Sequence, residues 1–203
     1  MSSRTTQALK PLPQMAAGAS KPLPPNVQSF EPQLLLRAQA VKLVILDVDG
    51  VLTDGQLVYS SLGEEHKVFN SLDGQGLVYL REAGLALAII SGRDSAMVKR
   101  RAADLGVAHV HLGVHGKLAV AEKLLEKLQL TWPQVAVMGD DWPDVPLLVR
   151  AGLAAAPVNA HVEVKAVAQL VTAERGGNGA VRALCDVLLA ALGHYRKRWE
   201  RLE

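Results

Sequence analysis

Apolar positions along the chain come in short unbroken blocks, each ending in polar or glycine-rich residues. The first block runs from Val41 through Leu46 and Val48, and it terminates in Asp47, Asp49 and Gly50. Its aliphatic residues do not alternate with polar ones, which predicts a strand buried on both faces of a parallel sheet. The same signature returns over Leu85 to Ile90, Val135 to Met138 and Leu153 to Ala156, while Val107 to Leu112 reads as a further strand and Gln169 to Thr172 as an edge strand. Helices are predicted between them: Asp94 to Leu105, capped by Asp94 and stopped by Gly106; Gly116 to Leu130; Val145 to Ala151; and Ala160 to Ala168. A long last helix is predicted from Gly179 to about Arg198. Strands separated by helices of this length require right-handed crossovers, so the fold class is α/β, a doubly wound Rossmann-like parallel sheet.

One interval breaks the rhythm. Leu57 to Tyr59 and His66 to Phe69 flank a turn containing Gly63, which predicts a small β-hairpin flap after the first strand and no cap domain. Asn70 to Gly76 reads as a flexible polar loop, and Leu77 to Ala83 as a short helix closed by Gly84. Residues 1–38 carry six of the ten prolines, so this part is expected to be a disordered or extended arm, with at most a helical turn or two from Gln33 to Ala40. The domain proper is then 39–192. Residues 193–203, with Arg196, Lys197, Arg198 and Arg201, form a basic helix end or tail.

Composition narrows the function classes. With 203 residues and 49% hydrophobic content the chain can bury one sizeable core, filled by Leu, Val and Ala because only 4% is aromatic. A net charge of +2 gives no argument for nucleic acid or a membrane surface. Cys185 is the only cysteine, which excludes an intrachain disulfide and fits a reducing compartment. With no apolar run of membrane-spanning length and no signal-peptide core, a cytoplasmic location is expected.

Four polar signals fall just after the predicted strands: Asp47 with Asp49, Ser91, Lys117, and Asp140 with Asp141 and Asp144. Each alone suits an ordinary polar turn. Together they fall at the carboxyl ends of parallel strands, where open α/β sheets bind ligands. Phosphoryl transfer needs a nucleophile, a metal, donors for the phosphate oxygens and an acid for the leaving group. Asp47 is read as the nucleophile and Asp49 as the general acid and base. Ser91 holds a phosphate oxygen, Lys117 balances charge, and Mg²⁺ is held by Asp47, Asp140 and the Asp49 carbonyl.

These residues carry a resemblance. Asp47-Val48-Asp49-Gly50-Val51-Leu52-Thr53-Asp54-Gly55, Ile90-Ser91-Gly92-Arg93, Lys117 and Gly139-Asp140-Asp141 with Asp144 resemble the four motifs of the haloacid dehalogenase superfamily. Phe69-Asn70 with Asp73-Gly74 and Gly76, and Gly176-Gly177 with Gly179-Ala180-Val181-Arg182, resemble the 3-deoxy-D-manno-octulosonate 8-phosphate phosphatases within it. The resemblance implies Mg²⁺-dependent hydrolysis of a phosphorylated eight-carbon sugar acid. It also implies a homotetramer in which the hairpin screens a neighbouring site. Asn70, Asp73 and Gly74 would line the substrate site, and Arg93, Arg101 and Lys117 would meet its carboxylate or phosphate. The chain departs from the family at Leu72 and Val78, where arginine is usual. A donor set truncated around a buried carboxylate costs about 2–5 kcal/mol, which motivates a second substrate reading, another sugar-acid phosphate such as a nonulosonate 9-phosphate.

Other readings compete residue by residue. A non-catalytic phospho-acceptor or scaffold domain would also pair aspartates with a lysine, but Asp49 two residues from the nucleophile favours turnover over a persistent acyl phosphate. His109, His111 and His115 are read as strand-end polar residues, Arg101 beside Lys99 and Arg100 equally suits a solvated helix face, and Trp132 and Trp142 are read as loop packing. The glycines at 176, 177 and 179 equally suit a flexible lead into the last helix.

Overall fold

The computed structural model describes residues 30–61 and 65–200, without the side chains of Glu65 and residues 198–200. Six strands form one parallel sheet: β1 (Leu43–Leu46), β4 (Ala86–Ile90), β5 (His109–His111), β6 (Val135–Met138), β7 (Leu153–Ala156) and β8 (Leu170–Val171). Their order is β5-β4-β1-β6-β7-β8, so the strand carrying the first motif lies at the middle. Register is continuous across it, with Leu46 paired to Ile89 on one side and Met138 on the other. All four β1 side chains are at most 1% exposed, each stabilising the sheet by roughly 1.5–3 kcal/mol.

Successive residues on each strand divide between two cores. Val44, Leu46, Leu87, Ile89, Ala136 and Met138 face one side, and there they meet α1 (Pro32–Ala38), α2 (Ser71–Glu82), α3 (Ala96–Leu105) and α7 (Ala180–Ala191). Leu43, Ile45, Ala88, Ile90, Val135 and Val137 face the other, covered by α4 (Lys117–Leu128), α5 (Val145–Leu148) and α6 (Val162–Val167). The sheet is thus doubly wound, as its unbroken apolar strands require. The hairpin is present but short: β2 (Val58–Tyr59) pairs antiparallel with β3 (Glu65–His66).

Three expectations are corrected. Asn70 to Gly76 is not a loop. Asn70 Oδ1 accepts the N–H groups of Leu72 (2.8 Å) and Asp73 (3.4 Å), and this cap starts α2 at Ser71 despite Gly74 and Gly76. The cap of α3 is Ser95, not Asp94, whose carboxylate pairs with Lys99 at 2.7 Å. The last helix ends at Ala191, with Gly193 in the left-handed region at φ 70°, and a separate α8 (Tyr195–Glu200) follows. The helical turns expected from Gln33 to Ala40 are present. Residues 32–38 are helical, Ala38 is fully buried, and Phe30 meets Tyr195 edge-on at 5.8 Å. The rest of the expected arm, residues 1–29, lies outside the described residues.

Candidate active site

The site grows from the end of β1. The Asp47 N–H still donates to Met138 O on β6 at 3.1 Å, so this residue stays in register with the sheet. Beyond it the Val48 carbonyl accepts from the N–H groups of Val51, Leu52 and Thr53, which coils the chain into a tight turn. Gly50 allows that turn for two reasons. Its φ of +90° is left-handed, and a Cβ there would lie 2.0 Å from Asp140 Oδ2. The turn and the Asp140 loop are therefore in direct contact.

Lys117 opens α4 and is 7% exposed. Its Nζ lies 2.9 Å from Asp47 Oδ1 and 2.7 Å from Asp144 Oδ1. The other oxygen of Asp144 accepts the Asp140 N–H at 3.2 Å. Asp144 occupies space that Gly139 leaves open, since a Cβ at Gly139 would lie 2.3 Å from Asp144 Cβ. Oxygens of Asp47, Asp140 and Asp144 come within 4.8 Å of one another, the only such three-ligand group among the described residues.

Three carboxylates face one ammonium, and their protonation reflects it. Burial, then the Asp144 charge, raises Asp47 to about 6 against the opposing pull of Lys117. Burial, with the charges of Asp47, Asp144 and Asp141, raises Asp140 to about 7. Burial works against the Lys117 ammonium, yet Asp47 and Asp144 outweigh it and hold its pKa above the usual lysine value. An all-oxygen donor set short of positive charge fits Mg²⁺. Asp47 and Asp140 are the arms available to it, because Asp144 is committed through both oxygens.

Ser91 follows β4 and is 2% exposed, with its Oγ 3.4 Å from the Arg93 N–H that donates to it. Arg93 Nε lies 3.7 Å from Asp49 Oδ2, and the same guanidinium hydrogen-bonds the Tyr59 hydroxyl on the hairpin. Lys67, on the return from the hairpin, bonds Asp49 Oδ1 with its side chain only 2% exposed. Sequence reasoning missed Lys67 and Tyr59. The available signal was slight, one cation beside apolar positions in a strand two residues long.

Lys117 thus joins Asp47 to Asp144, with Asp140 in the same cluster, while Asp49 is paired with Lys67 and Arg93, and Ser91 follows the neighbouring strand β4. The expected substrate residues divide differently. Asn70 spends its side chain on capping α2, and its carbonyl accepts from Arg101 Nη2 at 3.3 Å. Gly74 is buried, and a Cβ there would lie 2.1 Å from Arg101 Nη2, so this glycine makes room for the arginine. Asp73 is 1% exposed and turned toward α7, accepting from Gly179 N–H (3.2 Å) and Arg182 N–H (2.8 Å). Asp73 therefore does not line an open site, contrary to the expectation. Lys67, Phe69, Arg100 and Arg101 line a cation-rich cleft beside the flap. Trp142 is 59% exposed, donating from Nε1 to His161 Nδ1 at 3.1 Å, while the His161 N–H holds Asp140 O at 2.8 Å.

A doubly wound sheet with an aspartate cluster at its mouth and only a hairpin over it defines a haloacid dehalogenase-like hydrolase, and residues 57–152 match the family model of that description. The chain is 42% identical over 162 residues, 80% of its length and 86% of the relative's, to 3-deoxy-D-manno-octulosonate 8-phosphate phosphatase of Salmonella typhimurium. Among solved structures it resembles a probable YrbI family phosphatase from Pseudomonas syringae at 46% identity and TM-score 0.84, over 85% of this chain and 99% of that one. It also resembles the Moraxella catarrhalis 3-deoxy-D-manno-octulosonate 8-phosphate phosphatase in complex with magnesium, phosphate and KDO, at 39% identity and TM-score 0.83, over 84% and 98% of the two chains. The chain belongs to the 3-deoxy-D-manno-octulosonate 8-phosphate phosphatase family, and it is a phosphoric monoester hydrolase with Mg²⁺ as cofactor.

Proposed function

We propose that this chain hydrolyses 3-deoxy-D-manno-octulosonate 8-phosphate (KDO 8-phosphate) to the free sugar acid and phosphate. The observation that carries the reading is the Lys117 ammonium shared between Asp47 and Asp144, with Asp140 in the same cluster. In this mechanism Asp47 attacks phosphorus in line as the bond to the C8 oxygen breaks, and Asp49 gives that oxygen its proton. Asp49 then takes a proton from water as the water oxygen attacks phosphorus, which releases phosphate and restores the Asp47 carboxylate. Lys117 keeps Asp47 ionised and stabilises charge on the phosphoryl group, and Ser91 and nearby backbone N–H groups receive a phosphate oxygen. Asp47, Asp140 and the Asp49 carbonyl would hold Mg²⁺, which supplies positive charge to the phosphate oxygens when bound. Support for the substrate comes from the named relatives and from the cleft beside the flap, where the Arg100 and Arg101 cations suit a sugar carboxylate.

Leu72 and Val78 favour a second reading, the same chemistry on another sugar-acid phosphate such as a nonulosonate 9-phosphate. Leu72 is 58% exposed where a cation would serve the substrate, and Val78 packs against the core. Turnover of a panel of phosphorylated sugar acids with Mg²⁺ separates the two. The highest kcat/KM on KDO 8-phosphate sustains the first reading, and a preference of tenfold or more for a nine-carbon acid replaces it, a margin of about 1.4 kcal/mol.

The proposed assembly is a homotetramer formed through the flap. Leu57, Val58, Tyr59, Val68 and Leu72 are between 45% and 77% exposed, and a homotetramer in which hairpins of four copies meet would cover such apolar groups. Light scattering at the mass of one chain rejects that assembly. No helix among the described residues is long and apolar enough to cross a membrane, and the enzyme is proposed to act in the cytoplasm.

A further inference from the structure

Asp73 has an unusual placement for a residue beside a phosphatase site. It lies in the first turn of α2, yet its carboxylate is directed away from the cluster, onto the first turn of α7, 106 and 109 residues further along the chain. There it satisfies two N–H groups that a helix start leaves without intrahelical partners. Packing already holds the two helices together, since Leu77 and Leu80 of α2 share a core with Val181, Leu184 and Cys185 of α7. The carboxylate adds direction: it fixes where α7 begins.

What precedes that beginning touches the chemistry. A Cβ at Gly176 would lie 1.7 Å from Gly50 O, and one at Gly177 would lie 2.5 Å from Asp54 N. Gly177 N–H donates to Val51 O at 2.9 Å, and Gly176 N–H donates to Asn159 Oδ1 at 2.8 Å. The backbone of Gly176 and Gly177 is therefore wedged against the turn that follows Asp49, whose Gly50 abuts the Asp140 carboxylate. These glycines are a close-packed strut, not a flexible lead.

We propose that Asp73 is a positioning residue, which through the first turn of α7 and the Gly176–Gly177 wedge holds the Asp49–Asp54 turn in place behind Asp140. The competing account is a plain helix cap, which would affect stability and nothing else. The two differ in what they do to the turn 50 to 54, which Asp73 does not touch.

The test uses the full-length protein and rests on the phosphatase reading only for its kinetic arm. Asp73→Asn is compared with wild type by amide hydrogen exchange over Val48–Gly55, by calorimetric titration with Mg²⁺ alone, and by steady-state hydrolysis of KDO 8-phosphate. Exchange in that turn is expected to quicken and the Mg²⁺ dissociation constant to rise about tenfold, with kcat lower by a similar factor and KM within about twofold. Asn159→Ala, which frees the same wedge from the other side, is expected to shift exchange and Mg²⁺ affinity in the same direction. This second variant decides the matter if Asp73→Asn does not fold. A raised KM with unchanged kcat and Mg²⁺ affinity makes Asp73 a substrate residue and overturns the proposal. A lower melting temperature with unchanged exchange and Mg²⁺ affinity reduces it to a cap. If no sugar phosphate is turned over, the proposed function fails while exchange and metal binding still judge Asp73.

Discussion

Lys67 sets its ammonium on Asp49 across eighteen residues of chain, and it does so with almost no exposure to water. Arg93 approaches the other oxygen of the same carboxylate. The hairpin is thereby tied to the group proposed to exchange a proton with the leaving oxygen. Removing one partner of a buried charge pair costs about 2–5 kcal/mol. Lys67→Met is expected to lower kcat/KM by at least about tenfold and to reduce the melting temperature, with Lys67→Arg recovering part of both. Steady-state kinetics and a thermal melt check this, and full activity in Lys67→Met would remove the lysine from the mechanism.

The contrast between Lys67 and Lys117 shows what a sequence reveals and what it hides. Lys117 follows a glycine at the start of a helix, in step with other polar groups after apolar strands, so periodicity alone puts it at the sheet's carboxyl edge. Lys67 belongs to a short antiparallel ribbon whose direction depends on a turn, and no periodic pattern fixes where such a ribbon lies. The four inner strands were legible because burial on both faces forces unbroken apolar runs, whereas the edge strands β5 and β8 are only partly buried. The first turns of α2 were not, because Gly74 and Gly76 argue for a loop, whereas the Asn70 cap and packing against α7 override that propensity. Asp73 failed for a related reason: the N–H groups that donate to it lie more than a hundred residues away.

Asp47→Asn separates chemistry from folding. The amide cannot form the acyl phosphate, so turnover is expected to fall by about 10³-fold or more. The metal-free variant is expected to melt higher than wild type, because the substitution removes a carboxylate whose burial opposes its ionisation and which crowds Asp140 and Asp144. Calorimetry in EDTA checks the second point, and a lower melting temperature there would contradict the electrostatic account.

The dependence of metal-free stability on pH follows from the same carboxylates. Asp47 and Asp140 are raised from 3.8 to about 6 and about 7, so the folded chain binds protons that the unfolded chain has released. Their contribution is fully present below pH 3.8 and is lost as pH rises through about 6 to 7. Added Mg²⁺ competes with those protons. The stabilisation by Mg²⁺, read as the melting difference between Mg²⁺ and EDTA, is expected to be small at about pH 5 and to grow to a plateau above about pH 7.5. A difference independent of pH would mean that the two carboxylates do not take up the metal.

Gly50→Ala tests the contact between the first turn and the Asp140 loop. The new Cβ would fall 2.0 Å from Asp140 Oδ2, and the left-handed φ of +90° adds strain of about 1–2 kcal/mol. Asp140 must move, so the Mg²⁺ concentration for half-maximal activity is expected to rise about tenfold or more. Restored activity at saturating Mg²⁺ would place the damage in metal binding, and activity unchanged at every Mg²⁺ concentration would rule the contact out.

Leu72→Arg asks whether the missing cation matters to the substrate. Leu72 is 58% exposed in the first turn of α2, and its N–H donation to Asn70 does not depend on its side chain. Arginine has nearly the helix propensity of leucine, and its charge near a helix start costs only about 0.3–1 kcal/mol, so the fold should accept it. Val78→Arg is a poorer test, because Val78 packs against the buried cluster of α2 and α7 and a guanidinium there must leave the core. A charged hydrogen bond contributes about 1.5–3 kcal/mol. If the sugar carboxylate passes over this turn, Leu72→Arg lowers KM for KDO 8-phosphate by about tenfold and leaves p-nitrophenyl phosphate, which has no carboxylate, unchanged. An equal KM for KDO 8-phosphate in both proteins would put the carboxylate elsewhere, with Arg100 and Arg101 as the cations at hand in the cleft beside the flap.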